Sequence, residues 1–124
     1  MRVVITLLLL IAATPAWAEW MKVSETNVTV HYIDIRTSIY IGQMRRVWVI
    51  QDLKKRDPDG ELSMRMLNEY DCAEKRWRTL SLSTHSGPMA GGRSLVSGNI
   101  PSEWSYLPSG TTSGVLIHRI VCAS

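Results

Sequence analysis

The chain has 124 residues, with 14 Lys and Arg against 11 Asp and Glu and only two cysteines. A formal charge of +3 on a chain of this length is too mild for a dedicated nucleic-acid binder, which usually shows a dense stripe of Lys and Arg. The length allows one domain with one modest core.

The first segment, residues 1–18, has the three parts of a secretory signal peptide. Arg2 gives a short basic start, an apolar run follows from Val3 to Ala13, and Ala16-Trp17-Ala18 fits the small-x-small cleavage rule. The apolar run is short of the roughly 20 residues that span a bilayer. We therefore expect cleavage after Ala18 and a single domain over residues 19–124, exported to the periplasm, the cell surface or the medium. No cysteine stands directly after the cleavage point, so we expect no lipid anchor of the bacterial lipoprotein type.

The two cysteines, Cys72 and Cys122, are an even pair in an exported domain, and such a pair is typical of a structural disulfide. A metal site would need three or four ligands at short spacing, whereas the histidines are scattered singly, so we expect no metal. A catalytic thiol would leave the other cysteine unpaired. The chain-entropy model assigns about 4 kcal/mol to closing a loop of about 50 residues.

Most of the remaining chain reads as short strands separated by turns. The predicted strands cover residues 19–23, 27–34, 44–53, 62–72 and 75–85. Residues 35–38 read as a turn or a single helical turn, a hairpin turns near Gly42-Gln43, and residues 54–61 form a charged loop with Asp-Pro and Asp-Gly turn signals.

Two strands carry further information. In residues 62–72, one predicted face holds Met64, Met66, Tyr70 and Cys72, and the other holds Ser63, Arg65, Glu69 and Asp71. We therefore expect Cys72 on the buried face, and we interpret Asp34, Asp52 and Glu69 as solvated strand carboxylates. The continuous apolar run at residues 47–50 favours a buried central strand over a second layer or a subunit contact.

The last segment, residues 111–122, is ambiguous from its residues alone. A strand would place Leu116, His118, Ile120 and Cys122 together, and a helix would group Leu116, Ile117, Ile120 and Val121. Hydroxyl side chains in front of the segment could cap a helix.

An ordered series of short motifs begins at Tyr70. It consists of Asp71-Cys72, a basic-aromatic strand at residues 76–78, the loop Ser86-Gly87-Pro88-Met89, Trp104 followed by Pro108-Ser109-Gly110, and a terminal Val121-Cys122. In this order and spacing they resemble the surface-adhesin protein E family of Gram-negative bacteria. Looser matches at residues 32–34 and 47–49 extend the resemblance over nearly the whole chain after residue 18. His85 departs from the pattern, because the family loop has a tyrosine there.

The resemblance implies an α+β fold, in which a bent antiparallel sheet of about six strands carries one C-terminal helix on its concave face, tethered by the disulfide. On such a helix Cys122 lies roughly opposite Leu116 and Ile120, so we expect the helix to end before Cys122. Because the adhesin for which the family is named is dimeric, a homodimer is also implied.

The resemblance implies a non-enzymatic, secreted or periplasmic protein-binding module that attaches to a host extracellular-matrix or envelope component. The alternative is a periplasmic carrier of a small ligand or lipid. Our candidate partner-binding residues are two basic groups, Lys54, Lys55 and Arg56 in the charged loop and Lys75, Arg76 and Arg78 beside Trp77. We expect no cofactor and no catalytic residues, since Ser86 next to His85 lacks the sequence context of a nucleophile elbow.

Overall fold

The computed structural model describes residues 19–99 and 101–123, and the predicted signal peptide lies outside the described residues. Within them the chain forms strands followed by a helix. The strands are β1 Met21–Glu25, β2 Thr29–Ile41, β3 Met44–Leu53, β4 Ser63–Asp71, β5 Arg76–His85, β6 Ser94–Gly98 and β7 Ser105–Tyr106, and the helix is α1 Ser113–Cys122. No helix in these ranges has the length and apolar character needed to cross a membrane.

The strands form one open antiparallel sheet in which β1 to β6 lie side by side in chain order. The two-residue strand β7 pairs with β5 at the same edge as β6. This confirms the expected antiparallel sheet with one C-terminal helix. The strand β3 is an interior strand, as predicted from its apolar run, with β2 and β4 on either side.

The turn predicted at residues 35–38 is wrong. These residues belong to β2, but the register of β2 against β3 shifts between the pairs Asp34–Trp48 and Ile39–Arg46. Residues 35–38 therefore face the single residue Val47, and the extra residues bulge out of the ladder. Within the bulge, the Thr37 hydroxyl donates to the Asp34 carbonyl across 3.1 Å.

The predicted hairpin at Gly42-Gln43 is present between β2 and β3. Gly42 has a φ of +57°, a left-handed conformation that a side chain disfavours, and it makes the tight connection possible. The carbonyl of Gln43 accepts the amide of Cys72 at 3.1 Å, so the tip of this hairpin is tied to the end of β4.

The core lies between α1 and the face of the sheet that α1 covers, which we call the inner face. Its fully buried members come from the middle strands and the helix: Ile33, Val47, Val49, Tyr70, Ile117 and Val121. Met66, Trp77 and Cys122 are partly buried and pack against this cluster. The predicted inward face of β4 is therefore confirmed for Met66 and Tyr70, and Cys72, directly after the strand, is bonded to Cys122 of the helix.

The expectation that the helix ends before Cys122 is wrong, because α1 continues through this residue. The buried side of α1 is formed by Ile117, His118 and Val121, and Leu116 is only partly buried. At 100° per residue, Cys122 is next to His118 at the margin of this buried arc. The cysteine therefore reaches the sheet without any unwinding of the helix.

The disulfide between Cys72 and Cys122 is present and joins the end of β4 to the end of α1, with a Cα–Cα distance of 5.6 Å. At the other end of the helix, the Thr112 hydroxyl accepts the amide of Val115, and Ser113 Oγ lies 2.6 Å from Ser24 Oγ of β1. Both ends of α1 are thus attached to the sheet.

Candidate functional site: the two faces of the sheet

The outer face of the sheet, opposite α1, carries rows of paired charges. Side chains alternate along a strand, so Glu69 and Asp71 project away from the face on which Tyr70 packs against α1. Glu69 accepts hydrogen bonds from Nε of both cross-strand neighbours, at 2.8 Å from Arg46 and 3.0 Å from Arg78. In the next row, Arg76 Nε donates to Asp71 over 2.9 Å.

Two tryptophan rings stack against arginine side chains on this face. The guanidinium carbons of Arg76 and Arg78 lie 4.3 Å and 4.5 Å from the ring centre of Trp104. Further along the face, the guanidinium carbon of Arg65 lies 3.9 Å from the ring centre of Trp48. We call the four arginines, Arg46, Arg65, Arg76 and Arg78, together with these two tryptophans, the arginine face.

The arginine face presents positive charge to solvent. The side chains of Arg46, Arg76 and Arg78 are 37%, 26% and 29% exposed, whereas those of Glu69 and Asp71 are each only 4% exposed. The carboxylates lie beneath the guanidinium groups and position them. A molecule approaching from solvent therefore meets cations and aromatic rings.

Both buried carboxylates are ionised at neutral pH. Burial by itself would raise the pKa of Glu69, but the hydrogen bonds and charges of Arg46 and Arg78 outweigh it and lower this pKa below its ordinary value. Burial would likewise raise the pKa of Asp71, and the backbone amide of Glu74, the Arg76 guanidinium and a second backbone amide lower it.

The interpretation of Asp34, Asp52 and Glu69 as solvated carboxylates is wrong for Asp34 and Glu69. Asp34 and Glu69 are 1% and 3% exposed. Asp34 accepts the backbone amide of Arg36 in the β2 bulge, and the half-buried Asp52 accepts the amide of Met89 at 2.8 Å. These partners belong to a bulge and a distant loop, whose conformations the strand pattern does not reveal.

The candidate partner-binding residues form two separate groups. Residues 54–56 follow the end of β3 beside the start of β4, and residues 75–78 lie in the hairpin at the far end of β4. The nine residues of β4 between them cover about 30 Å at roughly 3.3 Å per residue. The structure therefore does not bring the two basic groups into one patch.

The group at residues 54–56 is largely engaged within the protein. Arg56 donates to the carbonyls of Gly60 and Ser86 and so joins two loops. Lys54 pairs with Glu25 at 3.1 Å, while Lys55 is exposed.

Three acidic residues follow this group in the same loop and offset its charge. The carboxylate oxygens of Asp57, Asp59 and Glu61 lie within 4.8 Å of one another. The hydrogen bond to Asp57, together with burial and the charge of Asp57, raises the pKa of Glu61. This loop is a weaker candidate for binding an acidic partner than the arginine face.

The second group contributes Arg76 and Arg78 to the arginine face, whereas Lys75 is exposed in the turn. Sequence reasoning missed Arg46, Arg65 and the stacking of Trp104. The alternation in β4 was a usable signal, because it had placed Arg65, Glu69 and Asp71 on one face.

The adjacent residues His85 and Ser86 do not pair as a base and a nucleophile. His85 Nε2 lies 2.8 Å from Ser83 Oγ, and Ser86 Oγ accepts the backbone amide of Arg93 at 2.8 Å. Each side chain has a local structural partner.

The inner face contains a cavity of about 130 Å³ between the first turn of α1 and the sheet. Val49, Met66 and Ile117 form apolar walls, and Tyr70 and Trp77 are among the remaining lining residues. Ligand pockets usually measure about 300–1,000 Å³. The cavity is therefore too small for the lipid cargo of the carrier hypothesis.

The chain is thus a small disulfide-linked sheet protein, with one face covered by a C-terminal helix and the other presenting arginines. The family model of surface-adhesin protein E matches residues 20–123. The chain belongs to the surface-adhesin protein E family, as its motifs suggested.

Solved structures of Haemophilus influenzae protein E have the same fold. Crystal form II of that protein matches with a TM-score of 0.60 and 14% identity, over 82% of this chain and 91% of the other. The protein from non-typeable Haemophilus influenzae matches with a TM-score of 0.61 and 17% identity, over 89% of this chain and 79% of the other. At these identities the likeness shows the fold alone. No curated protein has significant sequence similarity to the chain.

Proposed function

We propose that this protein is a non-enzymatic, exported binding module of the adhesin type, which attaches through its arginine face to an acidic segment of a host extracellular-matrix or envelope protein. Family membership supports the adhesin class. The observation that carries the proposal is the rigid row of partly exposed guanidinium groups over buried carboxylates.

The geometry suits carboxylate recognition. The ion pair of Arg46 uses Nε, so the terminal N–H groups of this side chain remain for a partner. Arg76 also pairs through Nε, and its guanidinium group shares a further hydrogen bond with Tyr106. Guanidinium groups bind carboxylates through two parallel hydrogen bonds, and a side chain that is already fixed loses less entropy on binding. Arginine and tryptophan are also the residue types that dominate binding energy at protein interfaces.

A binding assay with one charge removed tests this proposal. Arg65 stacks on Trp48 and makes no ion pair with a described residue, so Arg65→Gln leaves the buried carboxylates paired. We expect this variant to bind an acidic peptide and purified matrix proteins about fivefold to tenfold more weakly, because a hydrogen bond at a solvent-accessible site contributes about 1–1.4 kcal/mol net. Arg119→Gln, on the exposed side of α1, is the matched control. Equal binding by both variants and the unaltered protein would exclude the arginine face.

The location of the protein also needs a direct test. The predicted signal peptide supports export, and the family supports display at the cell surface. Protease added to intact cells should digest a surface-displayed protein. A periplasmic protein would be digested only after the outer membrane has been permeabilised.

A second copy of this chain is the proposed partner for the part of the β2 edge that β1 does not cover. β1 pairs with β2 only between Val30 and Ile33, so the rest of that edge has no strand neighbour within the described ranges. Ile39 and Ile41 in this part are 54% and 50% exposed. An apolar, unpaired strand edge favours pairing with another chain.

Light scattering on a sizing column tests self-association. Ile39→Lys should convert a dimer into a monomer, since a lysine at the edge opposes strand pairing. Val96→Lys places the same charge on β6 at the other end of the sheet and should leave the dimer intact. A monomeric unaltered protein would exclude this proposal.

A further inference from the structure

The cavity on the inner face has room for one ring. Its volume of about 130 Å³ is close to the roughly 150 Å³ of an apolar cavity that holds a benzene molecule. Val49, Met66 and Ile117 supply apolar contacts for such a ring. No part of the proposed function uses this cavity, because the arginine face lies on the other side of the sheet.

The cavity also contains polar groups whose hydrogen-bonding capacity is unused. Tyr70 is 1% exposed, and its hydroxyl oxygen accepts Asn68 Nδ2 at 3.1 Å, which leaves the hydroxyl proton without an acceptor among the described residues. Trp77 Nε1–H also lines this region and donates to none of the side chains or carbonyls described. The Nδ1 atom of His31 is buried and has no partner in the described ranges. The Tyr70 hydroxyl proton and His31 Nδ1 thus lack partners in one small cavity, and the half-buried Trp77 offers a further donor there.

The cavity lining is uncharged at neutral pH. Burial lowers the pKa of His31 and raises that of Tyr70, so both side chains are neutral. A charged ligand would lose its hydration without meeting an opposite charge there. The unused donors instead match a neutral ligand that carries an acceptor oxygen.

We propose that this cavity binds a neutral phenol-type ring, with the ring against Val49, Met66 and Ile117 and its oxygen accepting from Tyr70 or Trp77. The ring is supplied by a free small phenol or by the tyrosine side chain of a polypeptide. These two sources share one chemistry and differ in what lies outside the cavity.

Gly114 offers a way to fill the cavity without replacing any of its polar groups. It lines the cavity, and a Cβ atom built on it would lie 4.0 Å from Trp77 Nε1. The longer side chain of Gly114→Leu would enter the cavity, and leucine favours the helical conformation. A Cβ atom built on Gly98 of β6 would have no neighbouring heavy atom within 4 Å, so Gly98→Leu is the matched control.

The test is a titration of the purified, oxidised protein with p-cresol, toluene and benzoate, followed by amide NMR shifts. We expect saturable p-cresol binding in the low millimolar range, about fivefold weaker binding of toluene, which lacks the oxygen, and no binding of benzoate at this site. Gly114→Leu should abolish p-cresol binding, while Gly98→Leu should retain it. Trp77→Phe should reduce the preference for p-cresol over toluene.

Two outcomes would overturn the proposal: no saturable p-cresol binding to the unaltered protein, or unchanged binding by a correctly folded Gly114→Leu variant. A parallel titration with N-acetyl-tyrosinamide distinguishes the sources. Binding comparable to that of p-cresol identifies a tyrosine side chain, and binding of p-cresol alone identifies a free phenol. Because Arg65→Gln leaves the cavity intact, loss of attachment through the arginine face and loss of the cavity ligand are separate results.

Discussion

Replacing both Cys72 and Cys122 by alanine should lower the free energy of unfolding by about 4 kcal/mol. The two cysteines are 50 residues apart, and the chain-entropy model gives about 4 kcal/mol for a loop of this size. This is a large part of the roughly 5–15 kcal/mol that stabilises a typical domain. The ten residues of α1 are too few for an isolated helix to be stable in water, so the helix should be the first element to detach.

Urea unfolding followed by far-ultraviolet circular dichroism and tryptophan fluorescence measures this loss. Reduction of the unaltered protein should reproduce the behaviour of the double variant, which controls for the alanine side chains. The slope of the free energy of unfolding against urea concentration should also rise, since the unfolded chain without the crosslink is more expanded. A loss of less than about 1 kcal/mol would refute the reasoning and show that packing alone holds α1 on the sheet.

Three further predictions concern single groups. Glu69→Gln should lower the free energy of unfolding in urea by about 1–2 kcal/mol, which is less than the loss on breaking a fully buried ion pair, because Arg46 and Arg78 are partly exposed. An unchanged free energy of unfolding would contradict the role of Glu69 in holding these arginines. The folded-state pKa values of Glu69 and Asp71 are lowered, so the stabilisation from these ionised carboxylates is present above the ordinary carboxyl pKa and is lost as the pH falls through the folded-state values. The melting temperature should therefore drop in acid. A melting temperature that does not depend on pH would contradict this reasoning. Thr112→Ala removes the helix cap and should cost about 0.5–1 kcal/mol, with Thr112→Ser retaining stability.

The larger strands could be predicted because each is bounded by a strong local signal. Gly42 marks the turn between β2 and β3, and Asp-Pro and Asp-Gly mark the loop between β3 and β4. The strands β6 and β7 were not predicted. They have five and two residues and lie among glycines, serines and prolines, so their pairing with β5 depends on the tertiary structure more than on local propensity.

The arginine face could be predicted only in part. Alternation placed Glu69 and Asp71 on one side of β4, but the partner of each carboxylate depends on the register between β4 and β5. That register shifts between Leu67 and Asn68, and no local sequence feature marks the shift. Trp104 comes from a segment beyond β6, so its position over Arg76 follows from the path of the folded chain.

Stability and the proposed binding are coupled on the outer face, because a sheet covered by one helix must protect its second face by other means. Ile50 lies on that face and is 1% exposed, and its cross-strand neighbour Arg65 reaches over Trp48. The methylene groups of an arginine can cover apolar surface while the guanidinium group stays in water. The same arginine therefore shields the sheet and, in the proposed function, presents charge to a partner. An alanine in place of Arg65 would lose both effects. A glutamine keeps part of the apolar stem, and for this reason Arg65→Gln is the substitution that separates binding from folding.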